Sequence, residues 1–246
     1  MTEECRKYVA NANPVYPVNA PVGVPVNVPV SVPVNYSLYL VTDRSFCPSD
    51  MFLHQIEQAV LGGVTVVQLR EKEASSLEFY NCATKVSELL KNVSDKAGRK
   101  IPFLINDRLD IALAVDCDGL HVGQSDLPAD VCRRLLGKDK ILGVSVGSVE
   151  EAKKAERDGA DYLGVVAFKT GTKPEAVGIS LEIFREIKKA VKIPIVAIGG
   201  INPETLPLLE GAEIDGIAVV SAIMGSRDAK TVSGELRKVF DKMRRE

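Results

Sequence analysis

The sequence predicts an α/β fold: a single TIM (β/α)8 barrel, residues 36–246, behind a proline-rich N-terminal arm, residues 1–35, that we expect to be disordered. Short apolar segments alternate with amphipathic ones eight times, and the connections between them are short. The repeating part also has the right length, since one such barrel takes roughly 200 residues or more. An open doubly wound sheet is the alternative, but it usually carries a glycine-rich fingerprint after its first strand. No such motif follows residues 38–42.

The eight predicted strands are short and rich in β-branched residues, as strands covered on both faces require. They span residues 38–42, 64–69, 101–105, 119–122, 141–145, 162–167, 195–198 and 216–220. The second is the clearest, because a Gly-Gly pair precedes it and Arg70, Glu71 and Lys72 follow it directly. Cations at the end of a buried strand are costly unless an anion lies near them.

The predicted helices follow the strands. They span residues 49–61, a long segment from 75, 109–114, a segment starting near Pro128, then 149–158, 181–191, 203–209 and 229–244. Ser49 or Asp50 is a candidate N-cap of the first helix, since both side chains accept hydrogen bonds from free backbone N–H groups. Pro128 suits a first helical turn, and Gly159 is expected to end the fifth helix.

Prolines 17, 21, 25, 29 and 33 recur at every fourth position of the arm, mostly between valines. Proline removes a backbone donor and biases the preceding residue towards extended geometry, which excludes a helix or a central strand. We therefore expect polyproline II or disorder. Two roles remain open, a dispensable tail and an arm that binds a partner.

The composition is that of an ordinary globular protein, with 46% hydrophobic and 26% charged residues and a net charge of −2. The weak charge and the lack of Trp argue against nucleic-acid binding, and no apolar run reaches the roughly 20 residues of a membrane helix. The cysteines are scattered without a CxxC pair, which favours reduced thiols over disulfides or zinc: Cys5, Cys47, Cys82, Cys117 and Cys132. We expect a cytoplasmic protein that binds small molecules, and the sequence leaves open a homo-oligomer.

Polar side chains follow the predicted strands at their C-terminal ends, where TIM barrels carry their active sites. Two of them, Asp107 and Asp126, come from adjacent strands and suit Mg²⁺, which takes a few hard oxygen ligands and keeps positions for water and phosphate. The cations Arg70, Lys72 and Lys173 suit phosphate oxygens. Hydroxyl and amide groups on the same rim are Asn106, Gln124, Ser145, Thr170 and Thr172.

A second anion site is predicted where Gly199-Gly200 follows the seventh strand and Val220-Ser221 follows the eighth, since such barrels commonly bind a phosphate there. Simpler interpretations of single residues stay open. Asp126 suits a helix cap, and the glycine pair suits close packing alone. His121 is most simply a core or rim histidine with a hydrogen-bonded ring. No Ser-His-Asp or Cys-His set supports nucleophilic catalysis.

At these residues the chain resembles the thiamine phosphate synthase (thiamine-phosphate pyrophosphorylase) family. The matches appear in family order: QLREK (68–72), INDR (105–108), DGLHVGQSD (118–126), LGVSV (142–146), TGTK (170–173), PIVAIGGI (194–201) and VVSAI (219–223). The resemblance implies a transferase of thiamine biosynthesis with Mg²⁺ as cofactor. It implies the joining of 4-amino-2-methyl-5-(diphosphooxymethyl)pyrimidine to a thiazole phosphate, with release of pyrophosphate.

The resemblance also implies roles for single residues. Asp107 and Asp126 would bind Mg²⁺, and the catalytic groups would be Arg70, Lys72, Ser145 and Lys173. Substrate contacts are implied for Gln68, Leu69, Arg70, Glu71, Lys72, Asn106, Ser145, Thr170, Thr172, Lys173, Gly200, Val220 and Ser221. The chain departs from the family between Gly164 and Phe168, where the segment Val165–Ala167 is one residue shorter than usual. We therefore expect the loop carrying Thr170 to Lys173 to sit differently.

Two other functions remain open at this point. A thiazole tautomerase would share the barrel, but it has no diphosphate or metal to hold and would want a well-placed base. A non-catalytic phosphate-binding barrel would bind an anion without turnover. Metal-dependent product formation distinguishes these functions from the synthase.

Overall fold

The computed structural model describes residues 34–168 and 181–244. Within these ranges, eight parallel strands close into a barrel in chain order, and the last strand pairs with the first. The TIM (β/α)8 prediction is therefore confirmed. Residues 1–33 of the predicted arm lie outside the described residues. In the ranges described, no helix is both long and apolar enough to cross a membrane.

The strands match the predicted ones to within two residues at each end. They are β1 Leu38–Val41, β2 Val66–Leu69, β3 Phe103–Asn106, β4 Gly119–Val122, β5 Ile141–Val146, β6 Tyr162–Val166, β7 Ile195–Ile198 and β8 Gly216–Val219. The differences fall at strand ends, where pairing begins a residue or two inside an apolar run.

The helices are α1 Phe52–Leu61, α2 Ser76–Ala97, α3 Leu109–Ala114, α4 Ala129–Leu136, α5 Val149–Arg157, α6 Leu181–Ala190, α7 Ser221–Met224 and α8 Ala229–Met243. The N-cap expected at Ser49 or Asp50 is wrong. Residues 48–51 form a turn in which Met51 N donates to the Pro48 carbonyl, so α1 begins only at Phe52. Two short 3₁₀ segments, Arg44–Phe46 and Leu206–Leu209, complete the described elements.

Two apolar layers stabilise the barrel, because alternate residues of each strand point to opposite faces. The larger layer joins the strands to the helices. The smaller consists of Tyr36, Tyr39, Val41, Val66, Leu104, Tyr162, Val196 and Ala218, inside the barrel. Tyr162 fits there because β5 carries Gly143 beside it: a Cβ at Gly143 would lie 2.2 Å from the Tyr162 Cζ.

The N-terminal ends of the strands are joined by a repeated contact that we call the base clamps. The residue before each even-numbered strand accepts a hydrogen bond from the backbone N–H of the preceding odd-numbered strand. The clamps are Thr65 to Leu38 (3.2 Å), Asp118 to Phe103 (2.9 Å), Asp161 to Leu142 (2.7 Å) and Asp215 to Ile195 (2.9 Å). Each of the three aspartates also pairs with a cation, Lys100, Arg133 and Lys188 respectively. The clamps satisfy N–H groups that would otherwise be left unpaired at the base.

Four cysteines of the described ranges, Cys47, Cys82, Cys117 and Cys132, are free thiols, as predicted. Burial raises the pKa of the Cys117 thiol to about 11, so this buried side chain stays protonated at neutral pH. Cys5 lies outside the described residues.

Candidate active site

The C-terminal ends of the eight parallel strands form one mouth of the barrel. Arg70 and Lys72 follow β2, Asp107 follows β3, Asp126 follows β4, and Ser145 is near the end of β5. The structure therefore brings these five predicted site residues to the same end of the barrel. Contacts between their side chains decide what this end can bind.

The backbone at Asp107 is strained. Its φ is +62°, a left-handed value that non-glycine residues seldom adopt. The Arg108 N–H donates to the Asn106 carbonyl at 2.7 Å, which makes Asp107 the centre of a γ-turn of the rare form with positive φ. The Asp107 N–H donates to the His121 carbonyl on β4 at 2.8 Å and fixes this turn. Such a conformation costs about 1–3 kcal/mol and persists only where the surroundings enforce it.

The turn presents the Asp107 carboxyl group to two partners. Lys72 Nζ lies 2.5 Å from its Oδ2, and the carboxyl group of Asp126 is in hydrogen-bonding contact with it. Burial would raise the pKa of Asp107, but the hydrogen bonds from Lys72 and Asp126 outweigh it, and the pKa is lowered. Burial and the neighbouring Asp107 raise the pKa of Asp126, although the Gly123 N–H works against them. Two carboxyl groups in contact require a proton or a cation between them, because two carboxylates repel.

Asp126 is not a helix cap. Its Oδ2 accepts the Gly123 N–H at 2.7 Å, which closes the turn after β4. The N-cap residue of α4 is Pro128, and no side chain caps that end. The simpler interpretation of Asp126 is thus wrong, and its carboxyl group is held towards Asp107 instead.

Two ion pairs connect the segments that follow β1 and β2. Arg70 Nη1 lies 2.7 Å from Asp43 Oδ2, and Arg44 Nε lies 2.6 Å from Glu71 Oε1. The Arg70 N–H also donates to Thr42 Oγ1 at 3.1 Å. Asp43 and Arg44 were not predicted as site residues. A signal was present, since an acid–base pair directly after β1 is complementary to the base–acid pair directly after β2.

A chain of hydrogen bonds crosses the interior of the barrel below the mouth. Gln68 Nε2 donates to the Tyr39 hydroxyl at 2.8 Å, and the hydroxyls of Tyr39 and Tyr162 are 2.9 Å apart. His121 Nδ1 lies 2.8 Å from the Tyr162 hydroxyl, and Nε2 lies 2.9 Å from Ser145 Oγ. Burial raises the pKa of both phenols, so each keeps a proton to donate. The hydrogen-bonded ring predicted for His121 is confirmed, whereas Tyr39 and Tyr162 were missed.

The second predicted anion site lies on the neighbouring strands β7 and β8. Gly199 and Gly200 have φ values of +95° and +65°, which glycine adopts without strain. Thr205 Oγ1 donates to the Gly200 carbonyl at 2.7 Å and holds the turn. Gly200 and Ser221 are exposed at the rim, and Val220 is half-buried. The two segments therefore lie at the C-terminal ends of adjacent strands.

A family model described as thiamine monophosphate synthase matches residues 38–223. The chain belongs to this family. It is 52% identical over 206 residues to the thiamine-phosphate synthase of Clostridium tetani, covering 83% of this chain and 96% of that protein. It is 51% identical over 205 residues to the thiamine-phosphate synthase of Methanobrevibacter smithii, covering 83% and 95%.

One solved structure supports the family assignment, and a second shares the fold. A thiamine phosphate pyrophosphorylase from Pyrococcus furiosus is 38% identical and superposes with a TM-score of 0.75, covering 85% of this chain and 98% of that one. The (S)-3-O-geranylgeranylglyceryl phosphate synthase of Thermoplasma acidophilum reaches a TM-score of 0.62 at 13% identity, which shows a shared fold alone.

Other residues that the family resemblance singled out differ in position. The Leu69 side chain is fully buried in the layer between strands and helices, so only its backbone can contact a substrate. The Glu71 carboxylate is nearly buried against Arg44, and Gln68 is buried inside the barrel. Arg108 of the matched motif pairs with Asp110 and Ser76 on the outer side. The predicted Thr170, Thr172 and Lys173 lie outside the described residues.

Proposed function

We propose that this enzyme joins 4-amino-2-methyl-5-(diphosphooxymethyl)pyrimidine to a thiazole phosphate and releases thiamine phosphate and pyrophosphate. The family match supports the reaction class, since relatives about half identical over most of the chain are named for thiamine phosphate synthesis. The single observation of geometry that carries the proposal is the contact between the Asp107 and Asp126 carboxyl groups, with Lys72 beside them.

Asp107 and Asp126 fit a magnesium ion. In the described ranges no group of three or more His, Cys, Asp or Glu side chains is arranged around a common point. Mg²⁺ does not need one, because it is commonly held by one or two carboxylates together with water and substrate phosphates. A cation would also replace the proton that this contact otherwise requires. When bound, the ion would neutralise negative charge that develops on the departing pyrophosphate.

The protein's own cations act on the same charge. In the proposed reaction the bond between the pyrimidine methylene and the diphosphate oxygen breaks, and the electron pair leaves with pyrophosphate. Arg70 and Lys72 at the mouth would donate hydrogen bonds to the leaving group, and Lys173 of the TGTK segment would add a third cation. Such donors stabilise the transition state because they are already in place when the charge develops.

The interior hydrogen-bond chain supports the pyrimidine side of the site. Gln68 and Ser145 stand at its two ends, and Asn106 ends β3 between them on the rim. We assign these polar groups to the substrate that carries the diphosphate. Side chains whose rotamers are already fixed bind a ligand at a lower entropic cost, because they lose little freedom when the ligand arrives.

The thiazole phosphate would occupy the other side of the mouth. Gly200, Val220 and Ser221 follow β7 and β8, and Thr170 and Thr172 come after β6 in the sequence. From there the thiazole nitrogen would attack the methylene carbon and form the new C–N bond. Positioning by the phosphate makes this step intramolecular in effect, and no protein nucleophile is required.

The experiment is to mix the two phosphorylated substrates with the purified protein, with Mg²⁺ or with a chelator, and to quantify thiamine phosphate and pyrophosphate. We expect both products in equal amounts with Mg²⁺ and a large loss of both with the chelator. Binding of both substrates without product would leave a phosphate-binding barrel instead. Rearrangement of the thiazole phosphate alone would indicate a tautomerase.

A further inference from the structure

The segments after β1 and β2 are joined by two ion pairs of opposite order. Asp43 pairs with Arg70 and Arg44 pairs with Glu71, so two consecutive residues of one loop match two consecutive residues of the next. Of these four, only Arg70 is proposed to stabilise the departing pyrophosphate. The arrangement raises the question of what Asp43 does for that arginine.

Asp43 is itself rigid. Its Oδ1 accepts hydrogen bonds from the Ser45 N–H at 3.0 Å and from the Ser45 hydroxyl at 2.6 Å. This caps the short 3₁₀ segment and leaves Oδ2 for the Arg70 guanidinium. Only 15% of the Asp43 side chain is exposed. A carboxylate fixed in this way can hold the long Arg70 side chain in one orientation.

The second pair ties the loop of Asp43 to its neighbours. Glu71 is 9% exposed and accepts from Arg44 Nε, while the Arg44 guanidinium lies 4.9 Å from the centre of the Phe52 ring on α1. Cation–π contacts of this kind favour a single orientation of the arginine. The first loop is therefore held against both β2 and α1, and Asp43 with it.

Arg70 keeps donors for a ligand. Its contact with Asp43 uses Nη1, and in the part of the chain that the structure describes no hydrogen bond involves Nε or Nη2. A guanidinium carries five N–H donors in a planar fork, so anchoring one nitrogen directs the other two. Because Asp43 already fixes this orientation, Arg70 has little rotamer freedom left to lose when the anion binds.

We propose that Asp43 is a positioning residue that orients the Arg70 guanidinium towards the diphosphate. The inference rests on the function proposed above. Asp43 also has an opposite electrostatic effect, because its negative charge offsets part of the positive charge of Arg70 that attracts an anion. The two effects have opposite signs, so removing the Asp43 charge distinguishes them.

A double-mutant cycle measures the effect. Asp43→Asn keeps the size of the side chain and removes its charge, and Arg70→Ala removes the group that Asp43 would orient. We expect Asp43→Asn to raise the KM of the diphosphate substrate about tenfold, as the loss of one charge-assisted contact does. The KM of the thiazole phosphate should stay within about twofold. In the Arg70→Ala background, Asp43→Asn should add less than about twofold, because residues that act together are not additive.

Asp161→Asn is the matched control, since Asp161 also accepts one backbone N–H and pairs with one arginine, but at the base of the barrel. It should leave both KM values unchanged. Asp43→Glu retains the charge and should restore at least half of the affinity that Asp43→Asn loses. Melting temperatures of all variants show whether any change in KM reflects unfolding.

The same cycle is measured with inorganic pyrophosphate and Mg²⁺ by calorimetry, which needs no turnover. If the wild-type protein makes no thiamine phosphate, the proposed function fails, while the coupling between Asp43 and Arg70 is still read from pyrophosphate binding. A lower KM or tighter pyrophosphate binding in Asp43→Asn would mean that Asp43 competes for Arg70, and would overturn the proposal. If the losses of affinity in the two single variants multiply in the double variant, the residues act independently, which would overturn the proposal as well.

Discussion

At the base of the barrel Asp118, Asp161 and Asp215 each hold one cation and one backbone N–H, whereas at the mouth Asp107 and Asp126 contact each other and share one cation, Lys72. The base arrangement satisfies every partner with opposite charge, so it stabilises the closed ring. The mouth arrangement gives two acids a single lysine, so their repulsion is only partly offset unless a proton or a further cation lies between them. We therefore expect the base aspartates to serve stability and propose that the two at the mouth serve ligand binding.

The backbone shows the same difference. Base aspartates precede regular strands, while Asp107 is the centre of a strained turn with a φ of +62°. Strain of this kind is characteristic of functional sites, where the rest of the fold enforces it. In TIM barrels the active site lies at the C-terminal ends of the strands, and the opposite end contributes to stability. Variants at the two ends should therefore separate activity from stability.

The largest effect is expected at the mouth. Asp107→Asn keeps the side-chain shape, and asparagine tolerates the left-handed backbone. Turnover should fall about 1000-fold, because the proposed metal ligand is lost and several kcal/mol of transition-state stabilisation go with it. Urea unfolding should show a stability within about 1 kcal/mol of the wild type, since the variant loses the ion pair with Lys72 but also the repulsion between two adjacent acids. A turnover within tenfold of the wild type would show that Asp107 is not the metal ligand that we propose.

A smaller effect is expected from the hydrogen-bond chain between the two ends. Tyr162→Phe takes one partner from Tyr39 and one from His121, so the free energy of unfolding should fall by about 1–3 kcal/mol. The value of kcat/KM should fall about tenfold, because Ser145 is held less firmly. Tyr36→Phe is the control, as this ring stacks on Tyr162 with centroids 4.7 Å apart but its hydroxyl is not part of the chain. Equal losses in both variants would exclude a role for the chain in turnover.

At the base, Asp161→Asn should change stability and not activity. The Leu142 N–H and Arg133 lose a charged acceptor, and the free energy of unfolding should fall by about 1–2 kcal/mol. Steady-state kinetics at a temperature where the variant is folded should match those of the wild type. A tenfold fall in kcat/KM in the folded variant would mean that the two ends do not divide their roles as described.

The smallest effect is expected from the N-terminal arm. Removing residues 1–35 deletes the proline repeat and ends before the first strand residue, Leu38. We expect kcat and both KM values to stay within about twofold, since the arm precedes the barrel and polyproline segments supply no catalytic groups. A large fall in turnover would show that the arm takes part in the site.

Much of this comparison follows from the sequence because parallel strands covered on both faces are continuous apolar runs. Those runs located all eight strands, and the polar residues after them located Arg70, Lys72, Asp107 and Asp126 at one end. The hydrogen bond between Tyr39 and Tyr162 was not predictable, since it joins residues 123 positions apart across non-adjacent strands of a closed ring. The γ-turn at Asp107 depends on the His121 carbonyl of β4 and has no local sequence signal.

The base clamps did leave a signal. An Asp directly precedes Gly119, Tyr162 and Gly216 at the starts of β4, β6 and β8, and this threefold repetition is visible without coordinates. Helix α7 left none, because its four residues, Ser221–Met224, are too few to show a helical period. Short elements and long-range polar contacts are decided by barrel closure, which a linear pattern does not contain.

The most direct test of the comparison is the unfolding free energy of the wild type and Asp107→Asn, measured in urea with and without Mg²⁺ and inorganic pyrophosphate. A ligand that binds only the folded state adds RT ln(1 + [L]/Kd), about 2.7 kcal/mol at a hundred times Kd. We expect this gain in the wild type and little or none in Asp107→Asn, whose stability without ligand should be close to that of the wild type. An equal gain in both proteins would contradict the assignment of Asp107 to the ligand site.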